Sequence, residues 1–202
     1  MANIVITIGR EYGSGGREIG EKLAKELGFT FYDKELLRIV AEKSGIQEQV
    51  LKKADEAASN PLFAPYYPPS IDPGSLNDRV FKMQSDLIKE KAATENCVIV
   101  GRCANYVLEN HDNCIRVFIY ADMEKRINRI MSRHGLVDRD VAIKLIKKTD
   151  KHRRSYYQFY SEMKWGRPEG QDLLINSGLL GIDGTVALLK DLVEKKLTEQ
   201  SK

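Results

Sequence analysis

Near its start the chain reads Ile4-Val5-Ile6-Thr7-Ile8-Gly9-Arg10-Glu11-Tyr12-Gly13-Ser14-Gly15-Gly16-Arg17-Glu18-Ile19-Gly20. A β-branched run enters a glycine cluster, and an amphipathic helix leaves it. Ile4 to Ile8 is apolar apart from Thr7, as expected of a parallel strand covered on both faces. Ile19, Leu23 and Leu27 recur every four residues with charges between them, and Gly28 is placed to end the helix. A strand, a glycine turn and a helix in this order build a phosphate-binding loop. The glycines let successive N–H groups turn inward as an anion nest, and the helix N-terminus adds partial positive charge. Gly13, Ser14, Gly15, Gly16 and Arg17 are the expected phosphate-binding residues; a strand-turn-helix without a ligand is the alternative.

The loop departs from the full pattern G-x-x-x-x-G-K-[ST], in which Lys reaches the β- and γ-phosphates and a hydroxyl binds Mg²⁺. With Gly15 as the second glycine, Gly16 stands where Lys should be and Arg17 where the hydroxyl should be. Gly9 lies one residue too early to be the first glycine. Arg17 is the nearest cation to replace the missing charge, and Arg10 is the next.

With 202 residues, 42% hydrophobic and 30% charged, the chain is ample for one domain spanning 1–202. No apolar run approaches membrane-spanning length, and Met1 opens no signal-peptide pattern. Cys97, Cys103 and Cys114 match no zinc spacing, so a reducing cytoplasm is the expected setting. The net charge of +3 conceals an asymmetry. From Lys125 to Arg154 there are eleven Lys and Arg against Asp138, Asp140 and Asp150, which leaves the rest of the chain net acidic. Such a run either screens phosphates or is a solvated helix face.

Strand and helix signals alternate along most of the chain. Strands are expected at Ile4 to Ile8, Thr30 to Tyr32, Cys97 to Val100, Cys114 to Tyr120 and Asp172 to Asn176. Helices fall between them, with Asp122 as an N-cap and a closing helix from Thr185 to Leu197. Asn60 to Gly74 holds five of the six prolines with Phe63, Tyr66 and Tyr67; it is a functional lid or a segment without fixed order. The pattern predicts an α/β fold with a five-stranded parallel sheet, and excursions at 45–75 and 133–168.

Open α/β sheets bind ligands beyond the carboxyl ends of their strands. Besides the glycine loop, Tyr32-Asp33 and Gly101-Arg102-Cys103 occupy such ends, and Arg suits bidentate phosphate recognition. Arg126, Arg129 and Arg133 share one helical face; Asp150, three residues before Arg153, is placed to hold that guanidinium. Tyr156, Tyr157, Phe159, Tyr160 and Trp165 are expected to pack a helix rather than stack a base. His111, His134 and His152 share no metal-like spacing.

On these residues the chain resembles the nucleoside monophosphate kinases, and most closely their cytidylate-kinase-like branch, whose glycine loop also reads G-R-E-x-G-S-G-G-R. The resemblance spans Gly9–Gly20, Gly101–Arg102, Ala121–Arg129, Asp150–Arg153 and Asp172–Ser177. Cytidylate kinases carry Gly-Arg-Asp after the third strand; here Gly101-Arg102 matches and Cys103 replaces the Asp. Their Asp-Arg-x-Arg lid pattern is similar to Asp150-Lys151-His152-Arg153 at its first and last positions.

The resemblance implies a P-loop NTPase-like three-layer fold with a monophosphate-binding insertion near 45–75 and a lid near 133–168. It implies an ATP-dependent phosphotransferase working with Mg²⁺ on a (d)CMP-like nucleotide or related small acceptor, with a nucleotide or small phosphorylated substrate as its partner. Gly13 to Arg17 would hold the donor phosphates. Arg102, Asp33 and Asp150 would serve the acceptor, and Arg126, Arg153 and Arg154 would close over the transferring group with Arg17. A nucleotide-binding sensor without turnover is the rival, favoured by the missing Lys and hydroxyl and opposed by the lid arginines. Nucleic-acid binding through the basic run is disfavoured, since no recognition motif accompanies it. No membrane partner is expected.

Overall fold

The β-branched run becomes β1 (Val5–Arg10), the central strand of a parallel sheet ordered β2–β3–β1–β4–β5. The computed structural model describes residues 3–51 and 76–199. After β1 come α1 (Gly16–Leu27), β2 (Thr30–Tyr32), α2 (Glu35–Ser44), α3 (Leu76–Thr94), β3 (Cys97–Val100), α4 (Ala104–Val107) and β4 (Cys114–Tyr120). The chain continues through α5 (Met123–His134), α6 (Arg139–Ser161), β5 (Leu173–Asn176) and α7 (Ser177–Glu199). Within the expected insertion residues 48–51 are helical, and residues 52–75, with the proline-rich stretch, lie outside the described residues.

Both faces of the sheet are covered, which is why its strands read as continuous apolar runs rather than alternating ones. Ile4, Ile6, Ile8, Val98, Val100, Val117 and Ile119 pack on one side with Ile19 and Leu23 of α1 and Val186, Leu189 and Val193 of α7. On the other side Val5, Cys97, Ile99 and Cys114 pack with Leu36 and Val40 of α2 and Leu87 and Ile88 of α3. Burial in these layers pushes the Cys97 thiol up to about 12 and the Cys114 thiol up to about 11, so both behave as small apolar residues. A third cluster of Ile127, Ile130, Ala142 and Ile146 locks α5 to α6. None of the described helices is long and apolar enough to cross a membrane.

Two local readings change. Asp122 occupies the N-cap of α5, but its side chain accepts no capping bond; Asp138 does so for α6, accepting from the N–H groups of Asp140 at 2.7 Å and Val141 at 3.4 Å. The closing helix begins at Ser177 instead of near Thr185, and its two pieces meet at Gly181, whose φ of 71° breaks the helical path.

Close approach of α1 to the sheet depends on Gly20. A Cβ there would lie 2.9 Å from Val100 Cγ2 and 3.1 Å from Ile8 Cδ1. Gly20→Val is expected to lower stability by about 1–3 kcal/mol through overpacking, read as a shift of the urea midpoint.

Candidate active site

The glycine loop connects β1 to α1 with a backbone that only glycine adopts easily. Gly13 and Gly15 both have φ of 83°, and Gly15 caps α1 without a side-chain bond. Space matters as much as dihedral angle. A Cβ at Gly13 would lie 2.9 Å from the Arg126 carbonyl, and one at Gly15 would collide with the guanidinium of Arg129. Of the first-turn N–H groups of α1, which have no intrahelical partner, that of Gly16 donates to Ser14 Oγ at 3.4 Å, and the others face the N-terminal end where an anion can bind. Ser14 is buried, and its hydroxyl donates to the Glu11 carbonyl at 2.9 Å. Ser177 Oγ donates to the Ser14 carbonyl at 2.5 Å, which ties the loop to the start of α7.

Behind the loop lies a buried ionic cluster. Arg126, only 4% exposed, pairs with Asp150, reaches Glu11 Oε2 at 3.0 Å and donates through Nε to the Tyr12 carbonyl at 2.8 Å. Asp150 Oδ1 accepts the Tyr12 N–H at 2.8 Å. Both backbone polar groups of Tyr12 are therefore held by side chains, one from α5 and one from α6. Arg153, one turn further along α6, donates to the Arg10 carbonyl at 3.0 Å, with its guanidinium 5.4 Å from the Tyr12 ring centroid. Burial raises the pKa of Glu11, a shift opposed by the charge of Arg126.

Two cavities open at the carboxyl ends of the strands. The wider one, about 1430 Å³, runs along Gly13, Gly15, Gly16 and Arg17 and is faced by Lys125, Arg129 and Arg133. The smaller, about 350 Å³, is walled by Phe118, Tyr156, Tyr157 and Trp165, with Arg102, Lys148 and His152 around it. Arg10, Asp33, Lys34, Thr149 and Arg153 line both. Two chambers thus share one cation-rich wall, and each is large enough to hold a small phosphorylated molecule.

The residues singled out from the sequence divide by place. Gly13, Gly15, Gly16 and Arg17 line the wide cleft, Arg102 the small cavity, and Asp33 and Arg153 both. Arg126 and Asp150 sit behind the loop and hold it, while the Arg154 guanidinium lies 5.9 Å from the Trp165 ring centroid. Arg17 turns toward Asp33 at 2.8 Å and Glu21 at 2.9 Å. Gly101, Arg102 and Cys103 all have positive φ (83°, 56° and 52°), a costly backbone for the last two that sets Arg102 at the cavity wall.

Lys34 and Gln171 line the cavities although the sequence pattern does not mark them, and Arg129, marked only as one of a basic helical face, lines the wide cleft. Position beside Asp33 is the available signal for Lys34, and the shared face with Arg126 for Arg129. Nothing local marks Gln171, whose buried Oε1 has no hydrogen-bond partner among the described residues and which lines the small cavity. The aromatic residues do pack α6, since Tyr160 stacks on Phe81 of α3 at 3.8 Å between centroids. Tyr156, Tyr157 and Trp165 line the cavity as well.

Sheet order and glycine loop together define the architecture of the P-loop kinases. The model of the cytidylate kinase-like family matches residues 5–179, and the chain belongs to that family. It is 30% identical over 193 residues to a cytidylate kinase of Archaeoglobus fulgidus, covering 95% of each chain. It is 24% identical to a cytidylate kinase of Saccharolobus islandicus, covering 92% of this chain and 88% of that one. Among solved structures it is similar to an uncharacterized protein from Eubacterium ventriosum, with a TM-score of 0.72 and 31% identity over 95% of this chain and 99% of that one. A shikimate kinase from Bacteroides thetaiotaomicron shares the fold at a TM-score of 0.55 and 16% identity, covering 95% of this chain and 98% of that one.

The ionic cluster and the Arg17 pair differ in burial and should differ in consequence. Asp150→Ala strands a buried guanidinium and is expected to cost about 3–5 kcal/mol of stability. Arg17→Ala removes a half-exposed partner and is expected to cost no more than about 1 kcal/mol. Urea unfolding of the two variants measures the contrast.

Proposed function

We propose that the chain is an ATP-dependent phosphotransferase of the nucleoside monophosphate kinase type, moving the γ-phosphoryl group to a (d)CMP-like nucleotide or a related small phosphorylated acceptor. The observation that carries this reading is the pair of cavities with a shared wall of Arg10, Asp33, Lys34, Thr149 and Arg153. One ligand along the glycine loop and another in the aromatic-walled cavity would bring their phosphates together at that wall. Membership of the cytidylate kinase-like family supports the reaction class.

The residues fit the donor phosphates: left-handed glycines open the loop, the N-cap Gly15 brings no side chain to the start of α1, and Arg129, Arg133 and Lys125 face the cleft. They offer no dedicated cage for Mg²⁺. The Ser14 hydroxyl is used internally, and the described residues include no group of three or more His, Cys, Asp or Glu able to hold a metal. A Mg²⁺ ion would arrive on the phosphate oxygens with its waters and supply charge neutralisation there.

Phosphoryl transfer asks mainly for positioning and charge. Arg102 places the acceptor phosphate, and Arg153 stands at the junction with its backbone bond to Arg10 fixing its direction. An oxygen of the acceptor phosphate attacks the γ-phosphorus, the bond to the β–γ bridging oxygen breaks, and ADP leaves with that electron pair. The attacking oxygen is already anionic at neutral pH, so no general base is required. Segment 133–168, which contains α6, is the proposed lid excluding water from this step.

The sensor reading keeps one observation in its favour, the internal use of the Ser14 hydroxyl. Incubation with MgATP and a panel of nucleoside monophosphates separates the two. Equal amounts of ADP and a nucleoside diphosphate are expected with at least one acceptor. ATP binding with no transfer to any acceptor would favour the sensor. In the active case Arg102→Ala should raise KM for the acceptor roughly 10- to 100-fold, the loss of a charge-assisted bond, and change KM for ATP little.

A further inference from the structure

The glycine loop has no lysine, and Arg17 is turned away onto Asp33 and Glu21. We propose that Arg10 is the catalytic cation of the site, its guanidinium contacting the transferring phosphoryl group where the two cavities meet. The proposal deepens the phosphotransferase reading and rests on it.

Arg10 ends the central strand, paired with Ile119 of β4. Strand alternation places its side chain on the face of Ile6 and Ile8, the side covered by α1. Space for it is made by two glycines. A Cβ at Gly16 would lie 2.6 Å from Arg10 Cβ, and a Cβ at Gly101 would run into the guanidinium, 3.0 Å from Cζ. Gly16 is the residue that stands where the lysine should be. The glycine in the lysine's position therefore makes room for the arginine that lines both cavities.

The guanidinium lacks a full set of partners. Its Nε is buried with no hydrogen-bond partner among the described residues, and the Asp33 carboxylate stands 3.8 Å from NH2 while accepting a bond from Arg17 at 2.8 Å. Burial and the nearby charge of Arg153 lower its pKa against the opposing pull of Asp33, and an anion placed against the guanidinium would offset both costs. A donor group fixed where negative charge shifts during transfer is the arrangement that stabilises a phosphoryl transition state. Arg10 donates hydrogen bonds throughout and transfers no proton.

The test compares Arg10→Met, Arg10→Lys and Arg17→Ala in steady-state transfer, in urea unfolding without ligand, and in thermal stabilisation by inorganic tripolyphosphate. Arg10→Met should lower kcat at least a hundredfold and lose most of the stabilisation by tripolyphosphate. Its ligand-free stability should equal or exceed that of the wild type, because an incompletely paired, partly buried cation has been replaced by an apolar chain. Arg10→Lys should recover part of kcat, and added guanidinium at non-denaturing concentration should partly rescue Arg10→Met. Arg17→Ala should lower kcat by no more than about tenfold. Full kcat in Arg10→Met, or a loss of kcat that tracks a loss of ligand-free stability, would overturn the proposal. If the wild type phosphorylates no acceptor, the phosphotransferase reading fails by itself. The tripolyphosphate arm then decides, and equal stabilisation of wild type and Arg10→Met would show that Arg10 touches no phosphate.

Discussion

Arg126 places a guanidinium where water does not reach, and the surrounding geometry answers its charge on every side. Asp150 and Glu11 flank it, and the Tyr12 carbonyl accepts its Nε–H at 2.8 Å. A cation so buried is tolerated only with such partners, and each partner is thereby fixed in turn. The backbone of Tyr12, immediately before the first left-handed glycine, gains its orientation from this cluster. That orientation sets the turn at Gly13, the course of the loop and the start of α1. Asp150 and Arg153 both belong to α6, so the helix of the proposed lid also supports the phosphate loop from behind. Any opening of segment 133–168 must either leave the turn at 150–153 in place or break those bonds and loosen the loop.

The sheet order puts this cluster where it has a use. β1 is flanked by β3 and β4, so the chain leaves the sheet in opposite directions on the two sides of β1, and a crevice forms at that reversal. Arg10 emerges into it from β1, Arg102 from the end of β3, and Asp33 from the end of β2. Aromatic walls on one side and a glycine nest on the other divide the crevice into two chambers with different chemistry. Phe118 and Trp165, edge to face at 5.1 Å, offer an apolar boundary to the smaller chamber, while the larger is bounded by the glycine loop and by charged side chains of both signs. Such a division suits two different phosphorylated ligands better than one.

The fold could be read from the sequence because burial on both faces leaves a plain record: Ile4 to Ile8, Cys97 to Val100 and Cys114 to Tyr120 are largely apolar runs. The glycine loop was equally visible, since left-handed φ at Gly13 and Gly15 demands that residue type. What spacing could not carry was the direction of long side chains. Arg17 looked like the substitute cation because of its place in the motif, but Asp33, sixteen residues on, claims its Nε. Arg10 could not be recognised as the residue framed by Gly16 and Gly101, because that framing crosses from β1 to the end of β3. Left-handed φ at Arg102 and Cys103 is also silent in sequence, as neither residue type announces it.

The central claim is that two phosphorylated ligands bind at once and meet at Arg10, Asp33, Lys34, Thr149 and Arg153. Calorimetric titration with a bisubstrate analogue, in which the phosphate chain of ATP is joined covalently to that of a pyrimidine nucleoside monophosphate, tests it directly. Joining two ligands of adjacent sites makes the second binding event intramolecular. One analogue should bind per chain, on the order of a hundredfold or more tighter than ATP, and prior saturation with either ATP or the monophosphate should weaken it. An affinity no greater than that of ATP alone, unaffected by the monophosphate, would contradict the two-chamber site.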